Sequence, residues 1–270
     1  MKLECKIEEI KNKISQVERI TGKNLTLPVL NSILLIASGK SLKIRSTNLS
    51  LGIEVEIPAK IEKEGIVAVS GLVLNGIFSN VFQNENVYLE SMDGNLSIRT
   101  KKSKIKLKGQ PHEDFPTIPK VEGISFEIES KKLTNGIKSV YYSSSVSDIK
   151  PEISSVFIYT DEDNLVFVST DSFRLAEKKI KIKELPEIRG ILIPFKNISE
   201  ILRVFGESAS AIQVCFNKNQ ISFSSDNVYL TSRVIDGVFP DYRQIIPKTS
   251  GTNALMLKQD LLNALKLSNI

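Results

Sequence analysis

The sequence predicts an α+β fold built twice in tandem, each copy with two helices packed on antiparallel sheet, and three observations carry that prediction. First, the chain repeats itself. Pro28-Val-Leu-Asn-Ser-Ile33 lies over Pro151-Glu-Ile-Ser-Ser-Val156, Leu42 over Leu165, and Thr47-Asn48 over Thr170-Asp171, all at one offset of 123 residues. Gly65-Ile-Val-Ala-Val69 falls on Gly190-Ile-Leu-Ile-Pro194, and Phe115-Pro116 on Phe239-Pro240, within two residues of that offset. A fixed period marks a repeated structural unit, and 270 residues hold about two domains of ordinary size. Second, each copy carries two apolar stripes at helical spacing. Third, short alternating or β-branched runs separated by turn residues fill the rest.

The elements follow in order. Ile7, Ile10, Ile14 and Val17 recur at 3, 4, 3 spacing and predict a first helix with one apolar face. Strands are predicted over 32–37, 42–47, 51–57, 66–69, 87–91, 96–100 and 104–108. Ser38-Gly39-Lys40 and Asp93-Gly94-Asn95 serve as turns. A second helix interrupts them over 72–82. Copy two repeats the plan, with a helix over 131–143 (Leu133, Ile137 and Val140 inward) and another over 196–205 (Ile198, Ile201, Leu202 and Phe205 inward). After Pro247 the pattern restarts, with a strand over 253–257 and a helix over 258–267 carrying Leu261, Leu262 and Leu265. The boundaries are therefore 1–120, 121–247 and 248–270, the last reading as the start of a third copy.

Composition narrows the function. The chain is 41% hydrophobic and 25% charged, no apolar run reaches the 18 or so residues a bilayer span needs, and MKLECKIEEI is too charged for a signal peptide. A cytoplasmic protein with no membrane partner is expected. Cys5 and Cys215 lack CxxC spacing and read as core residues. The net charge of +5 comes from the first 120 residues, which permits a polyanionic partner without demanding one.

Catalytic sets are hard to assemble. His112 is the only histidine and sits in a Pro-flanked loop beside Glu113 and Asp114, so no Ser/His/Asp or Cys/His set is available. Asp161-Glu162-Asp163-Asn164 offers acidic side chains, yet it falls between two predicted strands and reads as a hairpin turn. No GxxxxGK[ST] or GxGxxG stretch occurs, so no bound nucleotide is expected; the cysteine spacing and the hairpin reading argue against a metal site, and no other cofactor is expected. The helix over 131–143 is more telling. With its apolar residues inward, Lys131, Asn135, Lys138 and Tyr142 share the outer face, and no acid occurs between Ser130 and Ser147. Lys13 and Arg19 share the first helix with Glu9, while Lys196 and Arg203 share the fourth with Glu200.

TDSFRLA at 170–176, DGVFPDYRQIIP at 236–247 and TLPVLNSILL at 26–35, set in a tandem repeat, resemble the bacterial sliding clamp family, the beta subunit of DNA polymerase III. The resemblance implies tandem DNA-clamp domains, three to a subunit, pairing head to tail into a homodimeric ring with helices lining the hole and sheets outside. This sequence carries only the beginning of the third domain. The resemblance also implies a non-enzymatic processivity factor that encircles double-stranded DNA and partners the DNA polymerase III catalytic subunit and the clamp loader. Lys13, Arg19, Lys131, Lys138, Lys196 and Arg203 would face DNA from the helices, and Lys23, Asn24 and Lys150 from loops. Ile153, Thr170, Ser172, Phe173, Arg174, Leu175, Pro240, Gln244 and Ile245 match the groove that takes partner peptides. Glycine and histidine are commoner at the places of Ser172 and Phe173, and arginine at that of Gln244, which implies an altered peptide preference. Ile105 and Leu107 lie on the strand that meets another subunit. Two other readings stand beside this one: a clamp-derived module that docks peptides without encircling DNA and, more remotely, an enzyme of unidentified type.

Overall fold

Lys2–Lys6 alternates outward charge with inward Leu3 and Cys5 and forms strand β1, a half-buried strand that helical periodicity just downstream conceals from sequence reading. The computed structural model describes residues 1–22, 27–80, 86–147, 149–206, 210–249 and 251–268. After β1 come α1 (Ile7–Glu18), β2 (Ser32–Ser38), β3 (Ser41–Thr47), β4 (Leu51–Pro58), β5 (Lys60–Lys63), β6 (Gly65–Ser70), α2 (Gly71–Ser79), β7 (Asn86–Met92), β8 (Asn95–Arg99), β9 (Lys104–Leu107) and β10 (Gly109–Gln110). The second copy runs β11 (Ile124–Glu129), α3 (Ser130–Lys138), β12 (Ser155–Asp161), β13 (Asn164–Thr170), β14 (Leu175–Lys181), β15 (Ile191–Pro194), α4 (Phe195–Phe205), β16 (Ala211–Phe216), β17 (Gln220–Ser225) and β18 (Val228–Arg233).

The two copies share one topology. Copy one pairs β1-β7-β8-β9 and β6-β2-β3-β4; copy two pairs β11-β16-β17-β18 and β15-β12-β13-β14. Strand β18 also pairs antiparallel with β4, Tyr229 opposite Glu54 and Leu230 opposite Ile53, so one nine-stranded sheet runs through both copies. For that reason Met1–Phe239 forms a single compact unit. Even the turns repeat. Thr47 Oγ1 bonds Leu51 O at 2.9 Å and Thr170 Oγ1 bonds Arg174 O at 2.8 Å. Leu49 (φ 73°) and Ser172 (φ 77°) take the same left-handed conformation between them.

Helix α1 buries Ile7, Ile10, Ile14 and Val17 completely, and α3 buries Leu133 and Ile137 in the same manner. Truncating one such residue, as in Ile14→Ala, would cost about 2–5 kcal/mol. Helix α3 lies close on β13 because Gly136 lacks a side chain: a Cβ there would stand 2.4 Å from the Phe167 ring. The helix predicted over 131–143 is shorter than its periodicity suggests. It stops at Lys138, and a 3-10 turn at Tyr141–Ser143 continues, with β-branched Val140 at φ −127° between them and its carbonyl taken by the Ser169 hydroxyl.

A second unit begins at Pro240 and contains a 3-10 turn at Tyr242–Ile245 and helix α5 (Lys258–Ser268). The strand expected over 253–257 does not form; a strand needs a ladder partner, and this unit has none among the described residues. Its Leu261, Leu262 and Leu265 are exposed.

Candidate nucleic-acid interface

Helix α3 is fixed at its start by the Ser130 hydroxyl, which donates to Phe205 O at the end of α4 at 2.5 Å. With Leu133 and Ile137 inward, Lys131, Asn135 and Lys138 project to solvent, and Tyr142 follows them outward from the 3-10 turn. Lys132 pairs with Glu129 at 2.6 Å, whereas Lys131 and Lys138 have no ion pair among the described residues. The Lys138 ammonium stands beside the end of α4, 3.7 Å from where a Gly206 Cβ would be. A helix C-terminus carries partial negative charge, so the lysine is steadied there while its charge stays accessible.

The other helix cations differ among themselves. Lys196 and Arg19 are exposed, and Lys13 is half-buried. Lys13 lines a groove of about 680 Å³ together with Lys6, Glu8, Glu9, Glu56 and Asp226. Arg203, expected to face DNA, is instead bound within the fold. Its guanidinium pairs with Glu200 at 2.6 Å and donates to the Gln16 carbonyl at 2.8 Å, leaving its side chain 22% exposed. Lys150 is exposed on a turn whose geometry its own carbonyl sets, accepting from Ile153 N at 3.2 Å and Ser154 N at 3.1 Å. Lys23 and Asn24 lie outside the described residues.

The expected peptide-groove residues stand in three places. Residues 170–175 form one turn in which Thr170 is buried and structural. Asp171 accepts from Phe173 N at 3.0 Å and Arg174 N at 2.9 Å, and pairs with the Arg174 guanidinium at 2.9 Å; these contacts hold its carboxyl below the usual aspartate range. The turn thrusts Phe173 outward, 99% exposed, with Ser172 and Arg174 also exposed and Leu175 half-buried. Ile153 is buried at 8% exposure. Within the second unit Gln244 donates to Asp241 at 2.7 Å, Pro240 is exposed and Ile245 is 68% exposed. On edge strand β9, Ile105 and Leu107 turn to the core while Lys104 and Lys106 are exposed.

The acidic stretch at 161–164 forms the hairpin turn between β12 and β13, with Asp161 paired to Lys179 at 3.0 Å, a contact that raises the Lys179 pKa. Among the described residues no group of three or more His, Cys, Asp or Glu could hold a metal ion, and no helix is long and apolar enough to cross a membrane.

Sequence reasoning missed the residues that join the copies. Asn197, buried in α4, donates to the Ser50 hydroxyl at 3.1 Å and the Ser232 hydroxyl at 2.8 Å. Tyr229 Oη donates to Pro119 O and accepts from Val121 N, both at 2.9 Å, under the Lys120 ammonium. An asparagine on the apolar stripe of FKNISEILRVF and a Glu200–Arg203 pair at i, i+3 were the available signals.

Comparison with known proteins follows the repeat. Residues 1–119 match the family described as DNA polymerase III beta subunit, N-terminal domain, and residues 127–241 match DNA polymerase III beta subunit, central domain. The beta sliding clamp of Synechococcus elongatus is 28% identical over 273 residues, covering 98% of this chain and 73% of that protein. That of Bacillus subtilis is 25% identical, covering 100% and 74%. Among solved structures, Caulobacter crescentus pol III beta superposes with a TM-score of 0.86 at 26% identity, over 92% of this chain and 69% of that one. The Bacillus subtilis DNA polymerase sliding clamp superposes at 0.87 with 24% identity, over 93% and 68%, a likeness of fold.

Proposed function

The chain belongs to the DNA polymerase III beta subunit family and is a DNA sliding clamp, and from that premise we propose that its lysine-bearing helices hold duplex DNA by phosphate attraction alone. The observation that carries this reading is the outer face of α3, where Lys131, Asn135 and Lys138 project together and, among the described residues, neither lysine is held in an ion pair. A clamp must retain DNA without stopping on it. Lysine, a hydrated point charge on a flexible stem, attracts phosphates at range and makes no bidentate claim on a base edge. Each phosphate neutralised adds a salt-dependent, sequence-independent contribution. Arg19, Lys150, Lys196 and half-buried Lys13 extend the same field.

In this proposal residues 1–120 and 121–247 are two clamp domains, the protein works in the cytoplasm without chemistry of its own, and subunits join head to tail through the β9 edge to close around duplex. It tethers the DNA polymerase III catalytic subunit, is placed on DNA by a clamp loader, and receives both through the exposed turn at 170–175. The test is primer extension on a closed circular template with polymerase and loader. The proposal expects longer products per binding event with this chain than without it; products of equal length would reject it.

A second reading uses the same turn alone. Phe173 stands 99% exposed on a turn held by the hydrogen bonds of Thr170 and Asp171 and is open to a partner. A module that docks peptides there without encircling DNA would bind partner peptides normally and give no extension of product length.

A further inference from the structure

The two copies part at one short segment. They match up to Ala59 and Ile182, whose amides donate to Lys40 O and Asp163 O, and match again from Gly65 and Gly190. Between these points copy one forms β5, which pairs antiparallel with β1, Leu3 opposite Ile61 and Glu4 opposite Lys60. Where copy one has five residues, 60–64, copy two has seven, 183–189, and among them is Pro186, whose nitrogen cannot donate to a ladder. The longer segment is held on the end of β12 instead: Ile188 N donates to the Thr160 hydroxyl at 2.8 Å, and Ile188 O accepts from Thr160 N at 3.0 Å. Strand β11, the counterpart of β1, is therefore the last strand of its sheet, with no strand in the place of β5 among the described residues.

The same divergence opens the fold beside that edge. Met1 and Ile124 hold matching places, opposite Ser91 and Phe216. Met1 is 5% exposed and packs on Gly65, where a Cβ would stand 2.8 Å from Met1 N. Ile124 is 47% exposed and lines a cavity of about 990 Å³ with Phe157, Leu192, Phe216 and Val238. Along β11, Phe126 and Ile128 turn inward, while Glu127 stands exposed in the place of Glu4, with no ion pair among the described residues. Residues 121–130 hold Glu122, Glu127 and Glu129 and no lysine or arginine, so a second copy of β11 would bring acid onto acid, whereas a basic strand meets opposite charge. We propose that β11 accepts an extended basic peptide of a partner protein as an added antiparallel strand, with a lysine opposite Glu127 and the apolar residue that follows it opposite Phe126. The β1–β5 ladder is the template: the lysine stands for Lys60 and the apolar residue, turned inward beside the cavity, for Ile61. Main-chain bonds along the open edge give such an addition its affinity, and the lysine and the apolar side chain select its sequence.

This edge and its cavity share no residue with the turn at 170–175, so the inference stands apart from the docking role given to that turn. The probe is a labelled synthetic peptide with the sequence of residues 58–63, PAKIEK, the segment that fills this place in copy one, titrated with the 270-residue chain and followed by fluorescence anisotropy. Saturable binding is expected. Glu127→Lys, an exposed substitution, should weaken it by about fivefold. A peptide carrying Lys60→Glu should bind the parent chain equally poorly and regain affinity for the Glu127→Lys chain. Absence of saturable binding overturns the inference, as does binding that Glu127→Lys leaves unchanged or a charge swap that restores nothing. Loss of binding with Phe173→Ala would overturn it too, by placing the peptide on the turn at 170–175.

Discussion

Arg203 donates from its guanidinium to the backbone oxygen of Gln16 at 2.8 Å, fastening α4 of the second copy to α1 of the first. A cation that its helix spacing assigns to DNA is thus committed to holding two repeats together. The prediction is a split between stability and binding. Arg203→Ala should cost about 1–2 kcal/mol through the lost charged hydrogen bond, read as a lower Tm. The salt dependence of duplex binding should stay as in the parent.

Gly136 gives an opposite sign to ordinary helix propensity. Alanine is worth about 1 kcal/mol over glycine in an open helix, but here its methyl would meet the Phe167 ring at 2.4 Å. Gly136→Ala should therefore destabilise by about 1–3 kcal/mol in thermal or denaturant unfolding. The exposed neighbour Asn135→Ala should be neutral or slightly stabilising.

Cys5 is 5% exposed, and burial, followed by Glu9 and Glu4, pushes its thiol up to about 12. A thiol that stays protonated is a poor nucleophile. Thiol labelling of the native protein near pH 8 should leave Cys5 unmodified, and denaturant should release it. Mass mapping of the labelled cysteine checks the outcome.

Asp171 links the turn at 170–175 to pH. Its carboxyl lies below its unfolded value because the Arg174 and Phe173 amides and the Arg174 guanidinium favour the charged form. Its contribution is fully present above the unfolded pKa and is lost as pH falls through the folded one. Copy one places Asn48 at the matching position with the same two amide bonds, at 3.0 and 2.8 Å. Asp171→Asn should therefore keep the turn, lower the neutral-pH Tm slightly by removing the charged contribution, and flatten the fall of Tm at acid pH.

The repeat, most strands and the inward faces of α1, α3 and α4 were legible because period and burial are written in residue type. β1 was not: five residues of alternation just before Ile7 are outweighed by the stronger helical stripe. The end of α3 was misjudged because Val140 continues the apolar period while its backbone leaves the helix. The exposed lysines of the site were likewise legible from spacing, since the face opposite an apolar stripe meets solvent. What spacing could not reveal was which cations are already occupied. Arg203 on Gln16 depends on an element remote in sequence, as does the burial of Ile153.

The most direct measurement of the central claim is the salt dependence of duplex affinity for the parent chain and for Lys131→Ala/Lys138→Ala. If these lysines meet phosphates, the double variant should bind more weakly on every sequence, and the slope of log affinity against log salt should fall by about 2. An unchanged slope in a folded variant would contradict the account and place the phosphate contacts elsewhere.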